Sequence, residues 1–343
     1  MQNNRARVLG WVQEGLIEHK DIAAAMQVAQ AQPRSHQWRH FIKQLLLWLS
    51  VICVCSGVIF FFAYNWQALS RMTRFALVES AMLVVSLSYL RCSGNESLKI
   101  ALLMAMTLLT GALLALVGQT YQTGADPWQL FIIWSALITP WALLASSSVM
   151  WIFWLLLLNL GCVLLFQLNV PLQWLLSSSS NAILLNLVMI NTALLVLFEL
   201  AARFKIRSIL SSQLLSPSNR YTQQTLLSVV MYLSCSWAIE GLFSDQQSSY
   251  LIFAYFIMTA LVYRFVIKDL FAIAVTCLGF LCVSSAFLFH GLDVFHADFL
   301  QYLFFGAFYI LGASSLMGVY LKRLTQIFNK AEQTVECTDK EQR

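Results

Sequence analysis

The chain has 343 residues, of which 59% are hydrophobic and 11% charged, with a formal net charge of +5. Soluble domains carry roughly 25% charged residues, so this composition leaves too little polar surface to cover a water-soluble globule, and the mean hydropathy of +0.71 agrees. The apolar residues fall in runs of about twenty, the length that crosses roughly 30 Å of hydrocarbon, so a lipid bilayer is the expected partner and the positive charge calls for no nucleic acid.

Residues 1–40 are charged throughout (Arg5, Arg7, Glu14, Glu18, Lys20, Asp21, Arg34, Arg39). They contain no apolar run of signal-peptide type, so no cleavable leader is expected. Val8, Trp11 and Val12 form an apolar stripe that Gly15 is placed to stop; Ile22, Ala25, Met26 and Ala29 form a second, ended by Pro33. This spacing predicts a small cytoplasmic helical hairpin. Such a hairpin buries little by itself, which makes it a candidate surface for a cytoplasmic protein partner.

The remaining hydropathy predicts an all-α, polytopic integral membrane protein with about ten transmembrane helices. The membrane domain is expected over 41–321, with spans near 43–63, 74–90, 100–119, 128–146, 148–168, 182–201, 224–242, 250–267, 270–290 and 299–320, and a cytoplasmic tail over 322–343. Only a tight turn separates the fourth and fifth spans, at Ala145 to Val149. If the N-terminus is cytoplasmic and the spans alternate, all of the 21 Lys and Arg except Arg71 and Arg74 fall on the cytoplasmic side. Basic loops resist translocation, so this bias supports both the orientation and the even number of spans. The outside loops are short. Trp66, Trp128 and Trp174 on one side, and Trp38 and Trp151 on the other, fit interfacial anchors. Most of the eight cysteines lie inside apolar runs, where a thiol behaves as a small hydrophobe, and no disulfide is expected.

The densest unusual stretch closes the third span and opens the fourth. Small residues from Gly111 to Gly118 permit close helix approach, and Gln119, Tyr121, Gln122 and Asp126 form a polar cluster at the boundary. Intramembrane polar clusters are candidate ligand or ion sites. Local structure accounts for the same residues: Asp126 and Pro127 suit the N-cap and first position of a helix, and Gly124 suits a tight turn. Glu79, about one turn into the second span, and Glu240, near the end of the seventh, either reach the interface or face a water-filled cavity. Glu199 precedes Arg203 by four residues, an ion-pair spacing on a helix. Asn159, Asn186 and Asn191 lie mid-span, where amides bond between helices.

His290, Asp293, His296 and Asp298 are residue types that bind metals, but they follow no established ligand spacing, and Asp298 also suits an N-cap. No metal and no cofactor is therefore expected. The chain has no P-loop, dinucleotide glycine fingerprint, nucleophile elbow or zinc-protease motif, so no enzyme class has positive support. Glu79 with Asp126 is the one carboxylate pair that an intramembrane reaction would call on.

Two stretches carry a resemblance. Leu9 to Ile17 (LGWVQEGLI) precedes a first span ending in Asn65 and Trp66, and Gly118 to Trp134 reads GQTYQTGADPWQLFIIW. Together they resemble the bacterial predicted membrane protein family named domain of unknown function 2157, over roughly residues 5–160. The resemblance implies a bacterial inner membrane and no particular substrate or reaction. It singles out Asn65, Trp66, Gln119, Tyr121 and Asp126, with Gly118 and Gly124 of the same motif. Many spans and short loops around a few embedded polar groups are the architecture of a small-molecule or ion transporter, here with its polar site near Gln119, Tyr121 and Asp126, at the third to fourth span. The alternative is a non-transporting scaffold, sensor or envelope-assembly factor that binds partners through residues 1–40.

Overall fold

In the computed structural model of the chain, the described residues are 8, 11–12, 15–28, 35–65, 69–94, 96–121, 124, 126–145, 147–168, 180–204, 220–244, 250–294 and 298–341. Among them there is no strand. A 3-10 turn, His19–Asp21, leads into α1, Ile22–Val28. The long helices are α2, Ser35–Asn65; α3, Arg71–Arg91; α4, Glu96–Tyr121; α5, Pro127–Ala145; α6, Ser148–Leu168; α7, Ser180–Phe204; and α8, Arg220–Phe243. The α9 helix, Leu251–Leu261, continues as a π-helical segment, Val262–Ile267; α10 is Leu270–Val294 and α11 is Phe299–Glu341.

Hydrocarbon offers backbone amides no partner, so a chain that crosses it closes its hydrogen bonds within each segment. Among the described residues, eight helices are long and apolar enough to cross a membrane, and Leu251–Ile267 is a shorter apolar one. The 31-residue α2 is free of charge from Gln44 to Asn65. Each expected span thus falls on a helix, and the protein is a polytopic α-helical membrane protein. The turn between the fourth and fifth spans separates two helices, with the Trp151 amide bonding the Ser147 carbonyl to start α6. Two helices outrun their spans. No glycine or proline interrupts 319–341, so α11 continues to Glu341, through most of the expected tail 322–343, and α2 reaches back to Ser35.

The chain forms two compact units, Met1–Leu116 and Val117–Arg343. In the first, Gly15 ends a helical turn as its position suggests. Its φ is +73°, its amide bonds Val12, and the Leu16 amide bonds Trp11, the paired closure that needs a left-handed residue. Val8 and Met26 are buried. Ser70 caps α3 by accepting from the Thr73 amide at 3.2 Å. Ser86 Oγ contacts Met106 Sδ at 3.5 Å, joining α3 to α4.

In the second unit α8 is the central helix: half of its apolar window is buried, against 6% for α11. Leu226, Leu227 and Val230 of α8 share one core with Phe256 of α9, Ile273 and Val283 of α10, and Leu324 of α11. Polar side chains bind neighbouring helices to one another. Asn159 of α6 and Asn191 of α7 exchange amide hydrogen bonds, Asn159 Nδ2 to Asn191 Oδ1 at 3.0 Å and Asn191 Nδ2 to Asn159 Oδ1 at 2.6 Å. Each amide also donates to the carbonyl four residues before it. Trp154 Nε1 of α6 donates to Ser135 O and Thr139 Oγ1 of α5, just before Pro140. Trp151, expected as an interfacial anchor, instead packs edge-on against Phe198 and Trp154.

Close approach between α5 and α6 occurs at Gly161, where a Cβ would lie 2.7 Å from Ile132 Cδ1 and 3.2 Å from the Ile132 amide nitrogen. It does not occur at Gly118, where nothing lies within 4 Å of a built Cβ. Gly161→Leu is therefore expected to destabilise the protein by about 1–3 kcal/mol through overpacking, while Gly118→Leu leaves thermal unfolding in detergent within about 0.5 kcal/mol of wild type. Equal loss in both variants would contradict the packing described.

Candidate functional site

Three helix ends of the second unit meet at one charged cluster. Arg220 is the first residue of α8, where the helix dipole disfavours a cation. Two carboxylates neutralise it. Arg220 Nε donates to Asp269 Oδ2 at 2.6 Å, and Arg220 Nη1 donates to Glu199 Oε2 at 3.1 Å. Gln224 Nε2, one turn along α8, donates to the same Asp269 oxygen at 3.2 Å. Tyr263 OH donates to Glu199 Oε1 at 2.9 Å, and the Arg220 guanidinium lies 5.9 Å from the Tyr263 ring centre. The side chains of Glu199 and Asp269 are 15% and 11% exposed and that of Arg220 is 35% exposed, so the cluster is poorly hydrated without being sealed.

The backbone that presents these groups departs from regular helix. Tyr263 sits in the π-helical segment, and Lys268 closes that segment with φ +58°, ψ +50°. The amides of Lys268 and Asp269 both return to the Tyr263 carbonyl. This wide turn brings Asp269 back beside Tyr263. Its other oxygen, Oδ1, caps α10 by accepting from the amides of Phe271 at 2.9 Å and Ala272 at 3.3 Å. A non-glycine residue in the left-handed region costs on the order of 1 kcal/mol, and π-helical turns are frequent at functional sites. Arg264, next in the segment, donates from Nη1 to Tyr320 OH of α11 at 2.8 Å.

Beside the cluster lies a cavity of about 470 Å³ between α7 and α9. Glu199, Arg220 and Tyr263 form its charged end. Thr192 and Tyr255, whose hydroxyls are 3.1 Å apart, line it two turns deeper along α7. The walls between are apolar, supplied by Val196, Leu200, Met258, Val262 and Val266. This size falls within the range of about 300–1,000 Å³ usual for small-molecule sites.

The residues singled out from sequence lie elsewhere. Gln119 and Tyr121 are exposed at the end of α4. Asp126 is exposed and precedes Pro127, the first residue of α5. Its main-chain carbonyl accepts from the Gln129 amide, and its carboxylate accepts from Trp128 Nε1 at 3.3 Å. Gly124 takes φ +62°, as a tight turn requires. Glu79 is exposed on α3. Asn65 ends α2; Trp66, Gln122 and His296 lie outside the described residues. None of the described ones lines the cavity. Among the described residues no group of three or more His, Cys, Asp and Glu gathers at a metal-binding distance. His290 stacks edge-on with Phe243, Asp293 accepts from Tyr302 OH, and the Asp298 amide donates to Gln301 Oε1 at the start of α11.

The α7 carboxylate has partners that its helix spacing does not suggest. Glu199 binds Arg220 and Tyr263; the side chain of Arg203 lies outside the described residues. Arg220 and Asp269 were the residues that sequence reasoning passed over. Arg220 read as a basic flank and Asp269 as an unremarked charge in a two-residue junction. The available signal was their position, each abutting an apolar run.

Residues 9–151 match the family described as Predicted membrane protein (DUF2157). The match bears out the resemblance in the first half of the chain and includes Gln119, Tyr121 and Asp126, but not Glu199, Arg220, Tyr263 or Asp269. No curated protein and no solved structure matches the chain.

Burial disfavours the Asp269 anion, but the hydrogen bonds from Arg220 and Gln224 and the guanidinium charge outweigh it, holding Asp269 below its ordinary value of 3.8. A carboxyl whose folded value is depressed stabilises the fold fully above its unfolded value, and this stabilisation is lost as pH falls through the folded value. Asp269→Asn keeps a capping oxygen and removes the charge. Its unfolding temperature is expected to lie below wild type at pH 6, and the gap is expected to close as pH drops below 3.8. A gap that stays constant with pH would contradict this.

Proposed function

We propose that this protein resides in a bacterial inner membrane with both termini in the cytoplasm, and that it transports a small molecule or ion through its second unit. The confinement of Lys and Arg, apart from Arg71 and Arg74, to one set of loops supports the orientation. The observation that carries the transport reading is the partly buried Glu199–Arg220–Asp269 cluster opening onto a cavity between α7 and α9. Embedded ionisable residues that face a cavity mark substrate and ion paths in membrane proteins. In this reading the polar stretch at Gln119 and Asp126 serves the turn between α4 and α5, and the solute meets the protein at Glu199.

One observation favours a second reading, a scaffold or envelope-assembly factor: Trp11, Leu16 and Val28 of the N-terminal segment are 46%, 70% and 85% exposed. A partner protein would cover them. The two readings separate in reconstituted vesicles screened against a panel of labelled solutes. The transport reading expects uptake of at least one solute, reduced about tenfold or more by Glu199→Gln and unchanged by Gln119→Ala. Folded, inserted wild type with no uptake of any solute would sink it. Loss of cross-linked partners on deletion of residues 1–34 would then point to the scaffold.

A further inference from the structure

We propose that the cavity between α7 and α9 takes a cationic amphiphile, a molecule with an ammonium head and a short alkyl chain, whose head sits at Glu199 and whose chain runs along α7 toward Thr192. The inference rests on the transport reading only in sharing its site.

The chain-binding part follows from the walls. Val196, Leu200, Met258, Val262 and Val266 line the cavity and are also exposed on the outside of the second unit, by 38% to 58%. The cavity is thus open along the apolar flank of two membrane helices. A molecule dissolved in the bilayer reaches it sideways, without crossing a polar entrance. From Glu199 to Thr192 is seven residues of helix, about 10 Å at 1.5 Å per residue, the reach of a short alkyl chain.

The head-binding part follows from charge and aromatic content. Two carboxylates face one guanidinium in the cluster, so it carries a surplus negative charge. Each Glu199 oxygen already accepts one hydrogen bond, from Tyr263 or Arg220, and a carboxylate oxygen accepts two. The rings of Tyr255 and Tyr263 line the same cavity, and tyrosine faces attract ammonium groups. An anionic head would instead meet Glu199 beside an arginine already held by two carboxylates. Among the described residues, the two cations of the neighbouring turn do not reverse this: Arg264 is held by Tyr320, Lys268 is exposed, and neither lines the cavity.

The test uses the full chain in lipid nanodiscs with radiolabelled octylammonium, whose head keeps its N–H donors, as probe and unlabelled octylammonium, octanoate and octanol as competitors. Saturable binding is expected, displaced by the unlabelled cation and not by octanoate. Glu199→Gln is expected to weaken it about tenfold, the loss of one charge-assisted contact. Met258→Trp, which fills the cavity mouth and leaves the charged cluster intact, is expected to abolish it. Displacement by octanoate as effective as by the cation, unchanged binding in both folded variants, or no saturable binding to folded wild type would each overturn the proposal. Cation binding without uptake in vesicles would sink transport and leave this site standing. Glu199-dependent uptake of another solute class without cation binding would do the reverse.

Discussion

Arg220 has to be neutralised where it stands. It opens the central helix of the second unit, at the end where the helix dipole repels a cation, and about two thirds of its side chain is out of contact with solvent. Glu199 and Asp269 provide the compensation from two other helix ends. The consequences spread from that point. Asp269 reaches Arg220 with one oxygen and caps α10 with the other from the end of a wide turn. The π-helical segment and the left-handed Lys268 make that turn, and the same segment places Tyr263 on Glu199. Breaking a buried ion pair from one side costs more than the pair contributes, so these elements hold as a set.

The part of the chain that matches a known family and the part that holds the cavity do not overlap in sequence. The family match ends at residue 151, near the start of α6, whereas every member of the charged cluster lies between residues 199 and 269. The family-like half supplies the N-terminal segment, α2 to α5 and the turn at Gly124. The electrostatically unusual half lies beyond it. The family's signature stretch and the chain's candidate binding site are therefore different places, and the chemistry of one does not transfer to the other.

The membrane helices were legible because hydropathy is a property of a single segment and needs no tertiary partner to be read. Gly15 as a helix stop and Pro127 as a helix start were legible for the same reason, since both are local backbone preferences. That mid-span asparagines bond between helices was also readable in kind, and Asn159 with Asn191 does so. Which asparagine meets which was not, because that depends on how α6 packs on α7. The cluster was hidden for the same reason, with its charged residues Glu199, Arg220 and Asp269 separated by 21 to 70 positions in the chain and assembled only by packing. Glu199 shows the difficulty most clearly: its helix spacing says nothing of Arg220, 21 residues on, which the fold brings to it. The Gln119 stretch stood out through local composition, and there Gly124 takes a left-handed turn while the Asp126 carboxylate accepts from Trp128 Nε1.

The most direct measurement is thermal unfolding in detergent of Arg220→Met alone and of the same change combined with Glu199→Gln and Asp269→Asn. If Arg220 is the neutralised keystone of the second unit, the single variant, which orphans two carboxylates, loses about 1–3 kcal/mol, a figure below that of a fully buried pair because Arg220 is 35% exposed. The triple variant, which removes every charge of the cluster, regains most of that loss. A triple variant no more stable than the single one, or a single variant as stable as wild type, would contradict the account.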